Sequence, residues 1–366
     1  MTDVKYWVGF NIIPGIGRVR FGQLLEHFGD LKEAWSADSS DLYAAGLDKK
    51  SVQSIVTRRP SIDLDTEMQK LERYKIKAFV QNDPEYPSRL KEIFDAPPVL
   101  YVRGTLLPNE EWSLAVVGTR RATMYGREVT ERLVTDLVRN RITIVSGLAR
   151  GIDTVAHRTA LDADGYTIAV TACGLDIVYP AENQKLAQQI MEHGALVSDY
   201  PLGTKPKAEN FPRRNRIMSG LSLGTLVIEA TEKSGALITA RMALEQDREV
   251  FAIPGSVLSA ASKGSNKLIR DGAKTVLEVG DILEELNLSI LPQQLELVEP
   301  IIHNDTEALI LKHLADGPLH IDELCRSSCL PISIVNSTLT MMELKGMVNQ
   351  LGGMNYVAVV RGARVN

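Results

Sequence analysis

Three arginines fall within four positions of one segment, Asn210-Phe211-Pro212-Arg213-Arg214-Asn215-Arg216. Guanidinium groups bind phosphate oxygens, and an aromatic ring beside them offers a stacking surface for an unpaired base. Pro212 favours a helix start, which places Arg213 and Asn215 near a helix N-terminus. Glu209 is the one acid nearby in the sequence. The segment predicts a contact with single-stranded nucleic acid, the alternative being an arginine-rich helix paired with distant acids.

Two glycine turns follow apolar runs and precede helical patterns: Gly118-Thr119-Arg120-Arg121 and Ser146-Gly147-Leu148-Ala149-Arg150-Gly151. A glycine after a strand lets the backbone approach an anion, and the helix N-terminus supplies amides. The first of these turns has neither the Gly-x-Gly-x-x-Gly nor the Gly-Lys-Ser/Thr pattern of a nucleotide loop. Adjacent arginines suit the phosphates of a polymer better than a buried dinucleotide. The alternative is a pair of arginines on a solvated loop.

A third turn of this kind is Lys233-Ser234-Gly235, and Lys263 begins a further glycine-containing stretch. Because the carboxyl ends of parallel strands meet at one edge of a sheet, these turns are expected to converge there. That edge would concentrate the following cations: Arg120, Arg121, Arg213, Arg214, Arg216, Lys233 and Lys263.

Short apolar runs alternate with helical patterns from residue 112 onward, which is typical of a doubly wound, mainly parallel α/β sheet. The expected strands are Leu114–Val117, Ile142–Val145, Thr167–Thr171, Ala195–Val197, Thr225–Ile228 and Val250–Ile253. We expect an extended Rossmann-type DNA-binding core over 111–286, entered through an ordered, proline-punctuated lead-in over 61–110. Residues 287–303 are expected to be a linker.

The two ends of the chain have different patterns. Residues 1–60 predict short helices, in which Ile13-Pro14-Gly15-Ile16-Gly17 resembles a helix-hairpin-helix turn with Arg18 and Arg20 beside it. Such a turn either binds a backbone phosphate or serves packing alone. Residues 304–366 predict three helices and a hairpin, which is a winged-helix pattern.

Composition limits the function classes. The net charge is −5, yet it is unevenly distributed: residues 111–280 have 21 basic and 19 acidic side chains, whereas residues 281–366 have 5 and 11. Phosphate binding responds to such local clustering rather than to the total charge. The three cysteines lack a fourth partner, so no metal site is predicted. Neither a signal peptide nor a membrane span is evident, and we expect a cytoplasmic protein without a cofactor.

The motifs quoted above, in this order, resemble those of the DprA/Smf (DNA-processing protein A) family. They are joined by Ser234-Gly235-Ala236-Leu237-Ile238-Thr239-Ala240, by Pro254-Gly255-Ser256 and by the lead-in Ala96-Pro97-Pro98-Val99-Leu100-Tyr101-Val102-Arg103-Gly104. The resemblance covers nearly the whole chain. It implies single-stranded-DNA binding by the core, assistance in loading the recombinase RecA during natural transformation, and a homodimer formed through the core.

Carried over by motif, the resemblance assigns Arg120, Phe211 and Arg213 through Arg216 to the DNA. Many relatives have a basic residue where this chain has Ala181, and Lys185 is the nearest substitute; Lys207 precedes Phe211. The DNA-binding prediction therefore comprises Gly118, Thr119, Arg120, Arg121, Ser146, Gly147, Lys185, Lys207, Phe211, Arg213, Arg214, Asn215, Arg216, Lys233, Ser234, Gly235 and Lys263. Leu268 and Ile269, adjacent in a short helix, are predicted at the dimer interface.

Two other functions remain open at this stage. One is a nucleotide-processing enzyme on the same fold, using Asp153, His157 or Glu229, with Asp153 otherwise expected to cap a helix. Such enzymes usually have a Pro-Gly-Gly-x-Gly-Thr loop, whereas Leu221-Ser222-Leu223 precedes Gly224-Thr225 here. The prediction is that no residue is catalytic. The other is a double-stranded-DNA regulator that reads bases through the C-terminal domain.

Overall fold

A computed structural model describes residues 4–106, 112–288, 305–314, 317–328, 330–344, 348–350 and 354–358. The chain divides into two compact units, residues 1–290 and residues 291–366. The expected linker over 287–303 lies outside the described residues from 289 onward.

The N-terminal segment of the first unit is a cluster of short helices. They are α1 (Val4–Ile12), α2 (Arg18–Phe28), α3 (Leu31–Ser36), α4 (Ser39–Ala44), α5 (Lys49–Arg58) and α6 (Leu64–Arg73). Four aspartates define successive helix starts, because each carboxylate accepts a backbone N–H in the first turn. These caps are Asp30, Asp38, Asp48 and Asp63.

The helical cluster packs against the sheet as part of the same unit. Its buried aromatic side chains, Trp7 and Phe10 among them, join one apolar core with Tyr101 and with Ile190. The fully buried Tyr101 hydroxyl donates a hydrogen bond of 2.9 Å to the Asn11 amide oxygen. The segment expected as a separate helical module is therefore continuous with the core.

One sheet of nine strands organises the first unit. The strands are β1 (Ile76–Val80), β2 (Val99–Gly104), β3 (Ser113–Val117), β4 (Thr143–Ser146), β5 (Thr167–Val170), β6 (Gly194–Ser198), β7 (Gly224–Val227), β8 (Glu249–Ala252) and β9 (Lys274–Thr275). Their order is β1-β2-β6-β5-β4-β3-β7-β8-β9. In this spatial order, every neighbouring pair from β6 across β3 to β9 is parallel. Strands β1 and β2 extend the sheet at the β6 edge by antiparallel pairing. The α/β prediction is confirmed, and the lead-in over 61–110 contributes two strands of the same sheet.

Helices cover both faces of the sheet. The remaining helices are α7 (Ser88–Glu92), α8 (Met124–Arg139), α9 (Ile152–Asp162), α10 (Gln184–His193), α11 (Asn210–Leu221), α12 (Ala236–Glu245), α13 (Lys263–Arg270) and α14 (Val279–Glu285). Alternating residues of β3 explain the two layers, because Leu114 and Val116 face α8 and α9 while Ala115 and Val117 face α11 and α12.

The second unit has its own apolar core, formed by buried residues such as Ile310, Leu324 and Leu339. Its elements are α15 (Asp305–Leu314), β10 (Leu319–His320), α16 (Ile321–Ser328), α17 (Ile332–Leu344), β11 (Val348–Gln350) and β12 (Asn355–Ala358). The three helices and the hairpin confirm the winged-helix prediction. The sequence analysis missed β10, which pairs antiparallel with β12.

Candidate nucleic-acid interface

The strand order places an open groove at the carboxyl ends of β3, β4 and β7. Strand β3 lies between β4 and β7, and the helices that follow it and β4 lie on one face while α11 and α12 lie on the other. This is the point at which an open α/β sheet reverses its winding, where ligands usually bind. The cavity has a volume of about 670 Å³. We call it the rim groove, and its lining includes Gly118, Thr119, Arg120, Arg121, Asp153, Tyr179, Phe211, Arg214, Asn215, Ser234 and Gly235.

Two glycines bring the turns after β3 and β4 into contact. A Cβ atom on Gly118 would lie 2.5 Å from the Ile152 side chain. Gly151 has a φ of +77°, and a Cβ there would lie 2.2 Å from the Thr119 carbonyl oxygen. Both positions need glycine for steric reasons. The close approach holds the Arg120 turn against the start of α9.

The groove combines a cation with two aromatic rings. The guanidinium of Arg120, an exposed residue, lies over the Phe211 ring at 5.2 Å from its centroid. The Tyr179 ring is tilted by 57° against Phe211, with centroids 5.6 Å apart. Phe211 is half-buried and Tyr179 is 45 % exposed. The arrangement provides aromatic faces for stacking beside a charge for phosphate.

Further cations surround the groove. Arg121 lines it and is exposed. Arg213 is exposed on the first turns of α11, and Lys207 lies in the loop whose Pro206 and Ala208 line the groove. Lys233 is exposed beside Ser234 and Gly235, and Lys263 is exposed at the start of α13.

Gly235 immediately precedes α12, and space is open around the position where its Cβ would be. Asn215, almost fully buried, donates a hydrogen bond of 3.4 Å from its side-chain amide to the Gly235 carbonyl. The amide therefore ties α11 to the turn after β7. Asn215 lines the groove, and its side-chain amide stabilises the groove through the hydrogen bond to Gly235.

Arg214 was expected to contact DNA, and the structure corrects this. Only 4 % of the residue is exposed. Its Nη1 donates to the Gly147 carbonyl at 2.8 Å and to the Val170 carbonyl. Burial lowers the pKa of Arg214 to about 10, and the nearby Asp153 carboxylate opposes that effect. Arg214 therefore links α11 to the turn after β4 and to β5.

Arg216 requires a similar correction. Its guanidinium lies 2.8 Å from an Asp199 carboxylate oxygen and 2.9 Å from one of Asp95, and its side chain is only 15 % exposed. For Arg216 the structure therefore supports the alternative of a helical arginine that pairs with acids far away in the sequence. The charge of Arg216 is therefore already neutralised within the protein.

Two residues predicted to contact DNA at the end of β4, Ser146 and Gly147, also have structural hydrogen bonds. Ser146 is fully buried, and its hydroxyl donates to the Val116 carbonyl at 2.7 Å. The Gly147 amide donates to the Asp153 carboxylate at 3.1 Å, and Ala149 donates to the same oxygen at 3.3 Å. The Gly147 amide is thus directed at a carboxylate of the protein, so the expected anion nest after β4 is filled from within.

Asp153 does not occupy the helix cap, because Gly151 precedes α9. Burial raises the pKa of Asp153 to about 6, and the charge of Arg214 opposes the shift. Its neighbour His157 is fully buried, with Nδ1 2.8 Å from the Thr167 hydroxyl. Burial lowers the pKa of His157 to about 3.

Glu229 supports the start of α8. It is 2 % exposed, and its carboxylate accepts the Thr123 amide at 3.0 Å and the Thr123 hydroxyl at 2.6 Å. Thr123 in turn caps α8 by accepting the Gly126 amide. Each of the three residues considered as catalysts thus has a structural hydrogen bond.

Eight of the predicted DNA contacts are not among the residues that line the rim groove: Ser146, Gly147, Lys185, Lys207, Arg213, Arg216, Lys233 and Lys263. The two predicted interface residues do not line it either. Lys185 is exposed on α10. Leu268, on α13, is half-buried and packs against the core of its own chain. Ile269, next to it, is also half-buried.

The sequence analysis missed Tyr179 as a groove residue. A signal was present, because an aromatic residue that follows β5 belongs to the same sheet edge as the other turns. Exposed Ile238, on the first turn of α12, also lines the groove and carried no chemical signal.

The described residues contain neither a candidate metal-ion site nor a helix that could span a membrane. No group of three or more histidine, cysteine, aspartate or glutamate side chains there is arranged to hold a metal ion. No helix in the described part of the chain is both long and apolar enough to cross a membrane.

An open sheet with this winding defines a Rossmann-type protein, and the groove at its switch point presents arginines and aromatic rings. The profile of the DNA recombination-mediator protein A family matches residues 77–287, and that of the DprA winged helix domain matches residues 298–354. The chain belongs to the DprA/Smf family, as the motifs predicted.

Individual relatives support the assignment over most of the chain. Protein Smf of Synechocystis is 34% identical over 97% of this chain and 98% of its own length. Protein Smf of Escherichia coli is 39% identical over 76% of each chain. The X-ray structure of DNA processing protein A from Streptococcus pneumoniae has a TM-score of 0.69 at 37% identity, covering 78% of this chain and 99% of that one. A structure of the Helicobacter pylori protein, which concerns its single-stranded DNA binding mode, has a TM-score of 0.53 at 29% identity, covering 58% and 96%.

Proposed function

We propose that this protein binds single-stranded DNA in the rim groove and does not catalyse a reaction on it. The observation that carries the proposal is the position of the Arg120 guanidinium over the Phe211 ring at the switch point of the sheet. Stacking on aromatic rings tolerates any base, and cations beside them follow the phosphates. The Helicobacter pylori relative, described by its mode of binding single-stranded DNA, supports this reading.

The geometry favours binding over catalysis. Asp153 accepts hydrogen bonds from two backbone amides, and His157 is buried in the core. Glu229 accepts a hydrogen bond from Thr123, the residue that caps the start of α8. A general base needs access to the proton that it removes. We therefore propose that the family role of this chain is recombination mediation by binding, with no metal or cofactor.

Delivery of the bound strand to the recombinase RecA, in the cytoplasm, is the second part of the proposal. It rests on the family described as DNA recombination mediators. A homodimer through α13 is the third part. Ile269 is its best candidate contact, since Leu268 is already packed against its own core.

The DNA-binding proposal is tested by anisotropy titrations with a 30-residue oligothymidylate at several salt concentrations. Arg120→Ala and Arg121→Ala should each lower the slope of log K against log salt by about 0.7, because each removes one phosphate contact. Arg132→Ala is the matched control, since Arg132 is exposed on α8 and does not line the groove. An unchanged slope in the Arg120/Arg121 double variant would overturn the proposed site.

Parallel titrations distinguish the alternatives. A duplex of the same length should bind more weakly than the single strand, whereas a regulator of double-stranded DNA would prefer the duplex. Incubation with nucleoside triphosphates and oligonucleotides should give no product. Turnover that Asp153→Asn or His157→Ala abolished would establish the enzyme instead.

A further inference from the structure

A second cavity begins where the rim groove ends. It has a volume of about 890 Å³ and lies between α8 and α9, on the opposite face of the sheet from Phe211. We call it the α8–α9 groove. Arg120 lines both cavities, and the turn after β4 separates them, with Ala149 on one side and Arg150 on the other. A ligand that reaches Arg120 in the rim groove is therefore at the entrance of the second cavity.

Two arginines of this groove are without an ionic partner among the described residues. Arg127 on α8 and Arg158 on α9 are both exposed and line the cavity. Within the parts of the chain that the structure describes, neither guanidinium makes an ion pair or a hydrogen bond. Arg150 and Arg139, which also line it, are instead paired with Glu182 and with Asp136.

The charges change sign along the groove. Both helices follow parallel neighbouring strands, so both begin at the rim and run away from it. Arg127 and Arg158 lie in their first two turns, on the order of 5–10 Å from the helix starts at 1.5 Å per residue. Asp162 and Asp164 line the cavity at the end of α9 and just beyond it, and Glu131 lines it one turn after Arg127 on α8. Only the half of the groove nearest the rim therefore suits an anion.

The surface of this half fits a flexible polyanion better than a small ligand. Arg120, Arg127 and Arg158 are spread along an open channel rather than focused on one point. Thr154, half-buried between them, has its hydroxyl donating to the Ala149 carbonyl at 2.7 Å. In contrast to the rim groove, the lining of this cavity contains no aromatic side chain. Such a surface contacts phosphates and leaves bases unread.

We propose that the half of the α8–α9 groove nearest the rim binds the sugar-phosphate backbone of the same DNA strand, after it has passed Arg120. The inference rests on the proposed function, which it extends from one groove to a continuous track. Short oligonucleotides fill the rim groove alone, whereas longer ones also reach Arg127 and Arg158. The two arginines thus add affinity that depends on strand length.

The test compares a 6-residue with a 30-residue oligothymidylate on the full-length protein. The variant is Arg127→Ala with Arg158→Ala, and the control is Arg132→Ala with Arg241→Ala, two exposed arginines outside both cavities. We expect the variant to bind the long strand roughly tenfold more weakly at 0.1 M salt, with a salt slope lower by about 1.4. Binding of the short strand should stay within about twofold of wild type, as should both strands with the control.

Three results would overturn the inference. These are an unchanged slope for the long strand, an equal loss for both lengths, and an equal loss in the control. Arg127→Gln with Arg158→Gln, which keeps side-chain bulk, must reproduce the effect, and melting curves of all variants must match wild type. Arg120→Ala separates this outcome from failure of the proposed function, because it should weaken both lengths. If it weakened neither, the rim groove itself would be wrong.

Discussion

The guanidinium of Arg120 lies 5.2 Å from the centre of the Phe211 ring, although the two residues come from opposite layers of the sheet. Arg120 follows β3 and leads into α8, whereas Phe211 belongs to the first turn of α11. Their contact spans the switch point from one layer to the other. The two residues should also contribute to DNA affinity in separable ways. The contribution of the Arg120 charge depends on salt concentration, whereas that of the Phe211 ring does not.

Phe211→Ala should therefore weaken single-strand binding without changing its salt slope. The expected loss is about 1–3 kcal/mol if a base stacks on the ring. Phe94→Ala is a control, because Phe94 is an 85 % exposed aromatic residue outside the groove. Since Phe211 is half-buried, thermal melting must accompany the titration. A large fall in melting temperature with unchanged affinity would show that Phe211 serves packing alone.

Arg216→Ala should act on stability rather than on the DNA. The substitution leaves Asp199, whose side chain is 14 % exposed, without its partner 2.8 Å away. Removing one member of a buried pair costs about 3–5 kcal/mol, because the remaining charge stays buried. Urea unfolding should show this loss, while the salt slope of the folded variant stays at the wild-type value. A lower salt slope with normal stability would show that Arg216 contacts the DNA after all.

Asp153 should make stability depend on pH in a defined window. Burial raises the pKa of its carboxyl group from 3.8 to about 6. The folded state therefore holds this proton more tightly, so the stabilisation is present below pH 3.8 and is lost as the pH rises to about 6. The size of the loss is roughly 3 kcal/mol.

The comparison of wild type with Asp153→Asn isolates this contribution. The amide cannot ionise, so the variant should gain stability relative to wild type as the pH rises from 4 to 6. His157, whose pKa is lowered by burial, titrates in both proteins and cancels in the difference. A difference in unfolding free energy that stayed constant across the window would contradict the raised pKa of Asp153.

Ile269→Glu should yield a folded monomer, measured by light scattering, if α13 forms the dimer interface. A charge on the partly buried Ile269 should cost the monomer less than a charge within its core, but it disrupts an apolar interface. Leu268→Glu makes a contrasting variant, because Leu268 packs against its own core and should lose melting temperature instead. A dimer of unchanged affinity with Ile269→Glu would refute the placement.

Patterns along the chain predicted the strands of the core well, because short runs such as Ile142–Val145 and Val250–Ile253 are buried on both faces of a parallel sheet. The same patterns could not show which arginines are free. Arg216 is neutralised by Asp95 and Asp199, and Arg214 donates to one carbonyl in the turn after β4 and to one in β5. These partners meet only when α11 packs on the sheet. The pairing of Tyr179 with Phe211 likewise depends on two turns that are adjacent only in space.

The winged-helix unit should not contribute to single-strand affinity. A DNA-reading domain of this type presents polar and basic side chains from its third helix to the major groove. Here α17 (Ile332–Leu344) contains neither lysine nor arginine. Three of its exposed side chains are apolar: Ile332 at 58 %, Ile334 at 43 % and Met341 at 51 %. With 11 acidic against 5 basic side chains over 281–366, the segment repels phosphates.

Deletion of residues 291–366 tests this, because residues 1–290 form a compact unit of their own. The truncated protein should bind the 30-residue oligothymidylate within about twofold of the full chain. If the apolar face of α17 binds a protein partner, the truncated protein should load less RecA onto the DNA. RecA loading is measured by strand exchange on the same DNA. Melting curves and light scattering establish that the truncated protein is folded and has kept its oligomeric state. A collapse of single-strand affinity in such a protein would make the winged helix a DNA-binding element, since the rim groove would then be intact and insufficient.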